Sequence, residues 1–159
     1  MSENIKYVTD ASLARLAKWL RLLGYDTIVF PHAAGRDLLN IASAEGRIVL
    51  TRRLDLPERQ FACRLYLVKG KAIGGQLSEV INQFSLKIEK EKLFRICLKC
   101  NEKLTAAAKE EVRNLVPEFV FANCGEYNKC PHCRKIYWAG THQRNALRFL
   151  DKNVHPADL

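Results

Sequence analysis

Apolar residues recur along this chain with two periods that alternate. Lys6-Tyr7-Val8-Thr9 reads as a short strand ending at Asp10. From Ala11 to Leu23, Leu13, Leu16, Leu20 and Leu23 fall at helical spacing with Ala17 between them, and Arg15, Lys18 and Arg21 lie on another face. Gly24 is placed to stop that helix. Thr27-Ile28-Val29-Phe30 is the next strand, and Arg36 to Ala44 the next helix, with Leu38, Leu39 and Ile41 as its apolar positions. Gly46 ends it before a third strand, Arg47 to Thr51. Leu65 to Val68 is a fourth strand, and a turn rich in glycine leads to a third helix, Gln76 to Phe84. Strand and helix in this order predict an α/β fold, a mostly parallel sheet flanked by helices. Ligands of such sheets gather at the carboxyl ends of the strands, where Asp10 and Thr51 stand.

The pattern changes after the charged linker Lys87 to Lys92. Two C-x-x-C pairs, Cys97/Cys100 and Cys130/Cys133, are separated by 29 residues. Each pair can wrap one turn of backbone round a metal, and four thiolates complete a tetrahedron, which predicts a closed structural zinc site in a ribbon with a long insert. Within the insert, Ala106 to Leu115 reads as a helix and Phe119-Val120-Phe121-Ala122 as a strand. Two units are therefore expected, an α/β domain over 1–90 and a zinc-ribbon module over 91–159. Cys63 reads as a buried thiol and Cys124 as a spare thiol or rival ligand. His132 and His142 are either ligands or surface groups.

Charge narrows the list of partners. The net charge is +9, and both parts share it: residues 1–90 carry 14 Lys/Arg against 9 Asp/Glu, and residues 91–159 carry 12 against 8. A polyanion suits such a chain. Met1 to Asp10 lacks an apolar core segment, so no secretory leader is expected, and no apolar run is long enough to span a membrane. Thiols paired for metal point to a reducing, cytoplasmic setting rather than to disulfides.

Candidate chemistry lies upstream of the cysteines. Asp10 follows a strand and precedes a helix, so it is either an N-cap or a cation ligand. Asp37 opens the second helix with the same ambiguity, and Asp55, before Pro57, is either a third ligand or a turn residue. Hard cations such as Mg²⁺ or Mn²⁺ take one or two carboxylates plus substrate phosphates. Tyr137 and Trp138, beside Arg134, Lys135 and Arg144, either stack on unpaired bases or pack the ribbon against the α/β domain.

The run Val8-Thr9-Asp10-Ala11-Ser12-Leu13-Ala14-Arg15-Leu16-Ala17-Lys18-Trp19-Leu20-Arg21-Leu22-Leu23-Gly24-Tyr25-Asp26-Thr27 resembles the opening of the Mut7-C RNase family. The resemblance continues through Asp37-Leu38-Leu39, Gly46 to Arg52, Gln76-Leu77, Cys97 to Asn101 and Tyr137 to His142. It implies a PIN-like α/β nuclease fold, a C-terminal zinc ribbon and metal-dependent cleavage of RNA. Asp10 and Asp37 match acidic positions of the family pattern. Two positions depart from it: Thr51-Arg52-Arg53 stands where the family usually reads Thr-Arg-Asp, and Lys71 to Gly75 holds no carboxylate before the Gln-Leu pair. An arginine where a ligand belongs repels a cation.

The expectation is thus a divalent-metal-dependent ribonuclease, with Asp10, Asp37 and Asp55 as catalytic acids and Arg15, Lys18 and Arg52 guiding phosphates. The alternatives are a catalytically decayed RNA-binding protein, marked by Arg53, and a protein-interaction adaptor that docks through the ribbon.

Overall fold

The structure is a computed structural model and describes residues 5–58 and 63–154. Four parallel strands, β1 (Tyr7–Thr9), β2 (Thr27–Val29), β3 (Ile48–Thr51) and β4 (Leu65–Leu67), form one sheet in the order β2-β1-β3-β4. The register aligns Tyr7 with both Thr27 and Ile48, and Val49 with Leu65. Three helices connect and cover these strands: α1 (Ala14–Leu22), α2 (Arg36–Glu45) and α3 (Ile73–Phe84).

Alternation along the strands builds two cores, because successive side chains point to opposite faces. Tyr7, Ile48 and Leu50 face one layer with Leu13, Leu16 and Leu20 of the α1 region and Leu77, Val80 and Ile81 of α3. Val8 and Val49 face the other layer, with Leu38, Leu39 and Ala42 of α2. A chain that leaves β1 for β2 on one side and then crosses to β3 on the other puts the change of direction between β1 and β3. That gap is where α/β sheets bind their ligands. The helix expected from Ala11 opens as a 3₁₀ turn, Ala11–Leu13, capped by Asp10, and becomes α-helical at Ala14.

The ribbon is a second, antiparallel sheet of β5 (Thr105–Ala107), β6 (Tyr127–Lys129) and β7 (Ile136–Trp138). Two expectations fail in its insert. Thr105–Ala107 is a strand because it pairs with β6, which leaves only Lys109–Val112 helical (α4) in place of a helix over Ala106 to Leu115. Phe119 to Ala122 lies in a helix, α5 (Glu118–Asn123), started by the Phe121 N–H bond to the Pro117 carbonyl at 3.0 Å. A four-residue apolar run carries no period that separates the two states, and the cations Lys109 and Arg113 stacked on the Phe121 ring hold the helical one.

The chain closes with α6 (Thr141–Asn153), which the sequence reading did not include. It returns to the first core: Leu150 and Val154 are buried there, and Phe149 stacks on Trp19 with ring centroids 4.4 Å apart. Asn153 lies so close to Gly74 of α3 that a Cβ there would sit 2.2 Å from its Oδ1. Among the described residues, no helix is long and apolar enough to cross a membrane.

Candidate active site and metal centre

Asp10 is buried at the carboxyl end of β1, and both its oxygens are engaged. Oδ1 accepts the Ser12 N–H at 2.9 Å and the Ser12 hydroxyl. Oδ2 accepts the Thr51 hydroxyl from the end of β3 at 3.1 Å, and Thr51 Oγ1 in turn accepts the Arg53 N–H at 3.0 Å. The N-cap role is real. It also holds a carboxylate across the β1–β3 gap with about one acceptor position, on Oδ2, still open, since each carboxylate offers about four.

Arg53 occupies the middle of this edge. Its guanidinium forks onto Asp55, Nε to Oδ1 at 3.0 Å and Nη2 to Oδ2 at 2.8 Å, while Nη1 donates to the Ala34 carbonyl at 2.6 Å. Asp55 raises the Arg53 pKa above its ordinary value, chiefly through that hydrogen bond, and the charge of Asp10 adds to it. Arg53 is thus bound to one candidate acid and within electrostatic reach of another. Asp37 lies exposed in the first turn of α2. Asp10, Asp37 and Asp55 do not converge as a group: among the described residues, the four cysteines alone make a set of three or more His, Cys, Asp or Glu ligand atoms close enough for one ion.

Arg15, Lys18 and Arg52 are exposed. Lys69 and Lys71, which the sequence reading passed over, follow β4 and bring two more cations; their place after a fourth parallel strand was the available signal. Arg21 breaks the pattern. Expected on the polar face of α1, it is buried and reaches into the ribbon. Glu79 of α3 is half-buried and engaged. It accepts the Tyr66 hydroxyl at 2.7 Å and the N–H groups of Lys69 and Gly70 at 2.9 and 2.8 Å, fixing the turn after β4.

The metal centre is built from two near-identical turns. Cys97 to Asn101 and Cys130 to Arg134 each end on a residue with φ of 65°. Asn101 N–H donates to the Cys97 carbonyl and Arg134 N–H to the Cys130 carbonyl, both at 2.9 Å. The N–H of each second cysteine points at the first sulfur, Cys100 to Cys97 and Cys133 to Cys130, both at 3.4 Å. The four Sγ atoms lie within 4.8 Å of one another, and Cys97 and Cys133 are 3.7 Å apart. A tetrahedron with Zn–S bonds of about 2.3 Å has edges of roughly 3.8 Å, so the donor set fits zinc with no position left for substrate.

Hydrogen bonding tunes these thiols unequally. Burial works against ionisation of Cys97, but the Tyr137 hydroxyl at 3.2 Å and the Cys100 and Lys99 N–H groups outweigh it and bring the thiol down to about 7. The Tyr137 hydroxyl also accepts the Leu98 N–H at 3.1 Å, so it serves the metal turn. Trp138 is half-buried and packs into the ribbon core with Tyr127 and Ile136. Arg134, Lys135, Arg144, His132 and His142 are exposed, and Cys124 is half-buried in the ribbon core, apart from the four ligands. Cys63 is half-buried against the second core.

Polar bonds fasten the ribbon to the sheet. Arg21 donates from Nε to the Thr27 carbonyl at 2.8 Å and from Nη1 to the Leu98 carbonyl at 2.7 Å. Asn101 accepts the Thr27 N–H at 2.9 Å and donates to Asp26 at 2.5 Å, while Arg47 holds the same Asp26 oxygen at 2.8 Å.

A parallel β2-β1-β3-β4 sheet, helices on both faces, a buried acid at its switch point and a four-cysteine ribbon define a PIN-like α/β domain with a zinc ribbon. The chain matches the Mut7-C RNAse domain over residues 5–150 and belongs to that family. Its function is accordingly of the ribonuclease type. No curated protein and no solved structure matches the chain.

Proposed function

We propose that the protein is a divalent-metal-dependent ribonuclease whose centre lies at the carboxyl edge of β1 and β3. The observation that carries this reading is Asp10, a buried carboxylate at the switch point of the sheet, held by Ser12 and Thr51. Asp10 and Asp37 would hold Mg²⁺ or Mn²⁺, with Asp55 as a third acid once Arg53 turns away from it. Bound there, such an ion would supply a polarised water and charge stabilisation for the leaving oxygen. Thr51 and Ser12 keep the Asp10 carboxylate aimed. Arg15, Lys18 and Arg52 draw the RNA backbone to the edge, with Lys69 and Lys71 beside them. Arg134, Lys135, Trp138 and Arg144 extend that path on the ribbon.

In this reading, residues 1–90 carry the chemistry and residues 91–159 the zinc-stapled extension. A cytoplasmic setting suits the four thiols, which bind metal only when reduced.

The Arg53–Asp55 fork favours a second reading, an RNA-binding protein that has lost cleavage. Arg53 neutralises one acid and opposes a cation beside another. One experiment separates the two: Mn²⁺-dependent turnover of a mixed RNA pool by wild type, Asp10→Asn and Arg53→Asp. The ribonuclease reading expects wild-type cleavage that vanishes in Asp10→Asn while its circular dichroism is kept. Cleavage seen only in Arg53→Asp would establish the second reading.

A further inference from the structure

A cleft of about 540 Å³ opens at the amino end of the sheet, opposite the Asp10 edge. Both parts of the chain build it: Lys6, Tyr25 and Asp26 from the sheet side, Lys92, Arg95 and Lys103 from the segment leading into the ribbon. Its wall is closely fitted. Gly24 has φ of 96°, and a Cβ there would lie 2.7 Å from the Lys92 carbonyl oxygen. Lys6, the residue before β1, and Asp10, the residue after it, are separated by a strand length on the order of 13 Å. The two sites therefore face opposite ways.

The lining has a polar rim and an apolar floor. Four cations, Lys6, Lys92, Arg95 and Lys103, face two carboxylates, Asp26 and Glu91. Asp26 is matched by Arg47 at 2.8 Å and Lys92 by Glu89 at 3.1 Å, which leaves Lys6, Arg95 and Lys103 against Glu91. Ile96 and Leu104 supply apolar surface beneath that rim. A nucleotide has the matching anatomy, an anion on one side and an apolar ring face on the other, and the volume lies within the range of ligand sites.

We propose that this cleft is a second nucleic-acid site, which anchors one nucleotide of an RNA strand with its phosphates on Lys6 and Lys103. This rests on the reading of the protein as RNA-directed. The cleft makes no contribution to bond cleavage. It holds a strand at the junction of sheet and ribbon, away from the reacting edge.

The test uses the zinc-loaded full chain and a fluorescein-labelled oligouridylate, read by anisotropy across a salt series. Lys6→Gln/Lys103→Gln should raise Kd about tenfold and reduce the salt slope by about 1.4, the value for two phosphates of a single strand. A pair of equal charge change outside the cleft, Arg148→Gln/Lys152→Gln on the exposed face of α6, should keep the wild-type slope. Equal behaviour of the two pairs overturns the proposal and leaves the ribonuclease reading standing. Wild-type protein that binds no oligouridylate at low salt defeats both. Oligoglutamate that binds the wild type as tightly as the RNA, with the same loss in Lys6→Gln/Lys103→Gln, makes the cleft an acidic-peptide site and likewise overturns the proposal. AMP that competes with full effect would restrict the ligand to a free nucleotide and refute strand anchoring.

Discussion

Arg21→Met tests how the two parts of the molecule are joined. Methionine keeps an apolar stem in the buried position and removes the guanidinium alone. Two hydrogen bonds disappear, to Thr27 on the sheet and Leu98 in the first metal turn. Bonds from a charged donor contribute about 1.5–3 kcal/mol each, so the gross loss is about 3–6 kcal/mol. Against it stands the cost of burying the charge, which pushes the Arg21 pKa down while Cys97, Asp26 and Cys100 pull it up. The net destabilisation should be about 3 kcal/mol, a large fraction of the roughly 5–15 kcal/mol that holds a domain together. For a chain of this length that corresponds to a fall in Tm of about 6–12 °C. Arg21 also faces a tetrathiolate that carries two negative charges when zinc is bound, so its loss should speed zinc transfer to a chromogenic chelator. Urea unfolding of the zinc-loaded protein by circular dichroism gives the first number and chelator kinetics the second. A variant within about 0.5 kcal/mol of wild type, with unchanged zinc release, would refute the claim that this residue couples ribbon to sheet.

Tyr137→Phe removes the hydroxyl that donates to Cys97, and zinc should leave several-fold faster with little change in fold, measured by the same chelator assay. Gly24→Ala forces a side chain into a left-handed backbone and against Lys92, and should cost about 1–3 kcal/mol in urea unfolding. Burial pushes the Glu79 pKa up, but the Lys69, Tyr66 and Gly70 bonds outweigh it and hold it below the ordinary value. Its contribution to stability is therefore complete above the unfolded carboxylate range and lost as pH falls through the lower folded value. Glu79→Gln should flatten the fall in urea midpoint between about pH 6 and pH 3; an unchanged slope would contradict the assignment.

The α/β body was legible because each of its elements carries its own period and stop. Leu13, Leu16 and Leu20 at helical spacing with Gly24 beyond, and Tyr7/Val8 facing opposite layers, are local signals that the packing repeats. The four ligands were legible for the same reason, since C-x-x-C is one turn of backbone. The ribbon insert was not. Thr105–Ala107 is a strand only because β6 lies beside it, a partner more than 20 residues away. α6 carried a signal that went unread: Ala146, Phe149 and Leu150 recur at three- and four-residue spacing after Gly140. The candidate acids show the sharper limit. Residue type and position put Asp10 at the end of a strand and the start of a helix, where it lies, but that Arg53 reaches back to grip Asp55 depends on side-chain direction, which no spacing encodes.

The return of α6 to the first core has a consequence for how the chain acquires its structure. Leu150 and Val154 complete a layer begun by Tyr7 and Leu13, so the earliest strands stay partly uncovered until the last helix arrives. Between Phe84 and Thr141 the chain must wander out and come back. A metal on the four cysteines would cross-link Cys97 to Cys133 within that excursion and shorten the effective loop almost threefold, lowering the entropic cost of closure by roughly 1 kcal/mol. Metal supply would then act as a checkpoint on maturation. A molecule synthesised without it would expose the greasy flanks of α1 and α3 for longer, and its first symptom would be aggregation.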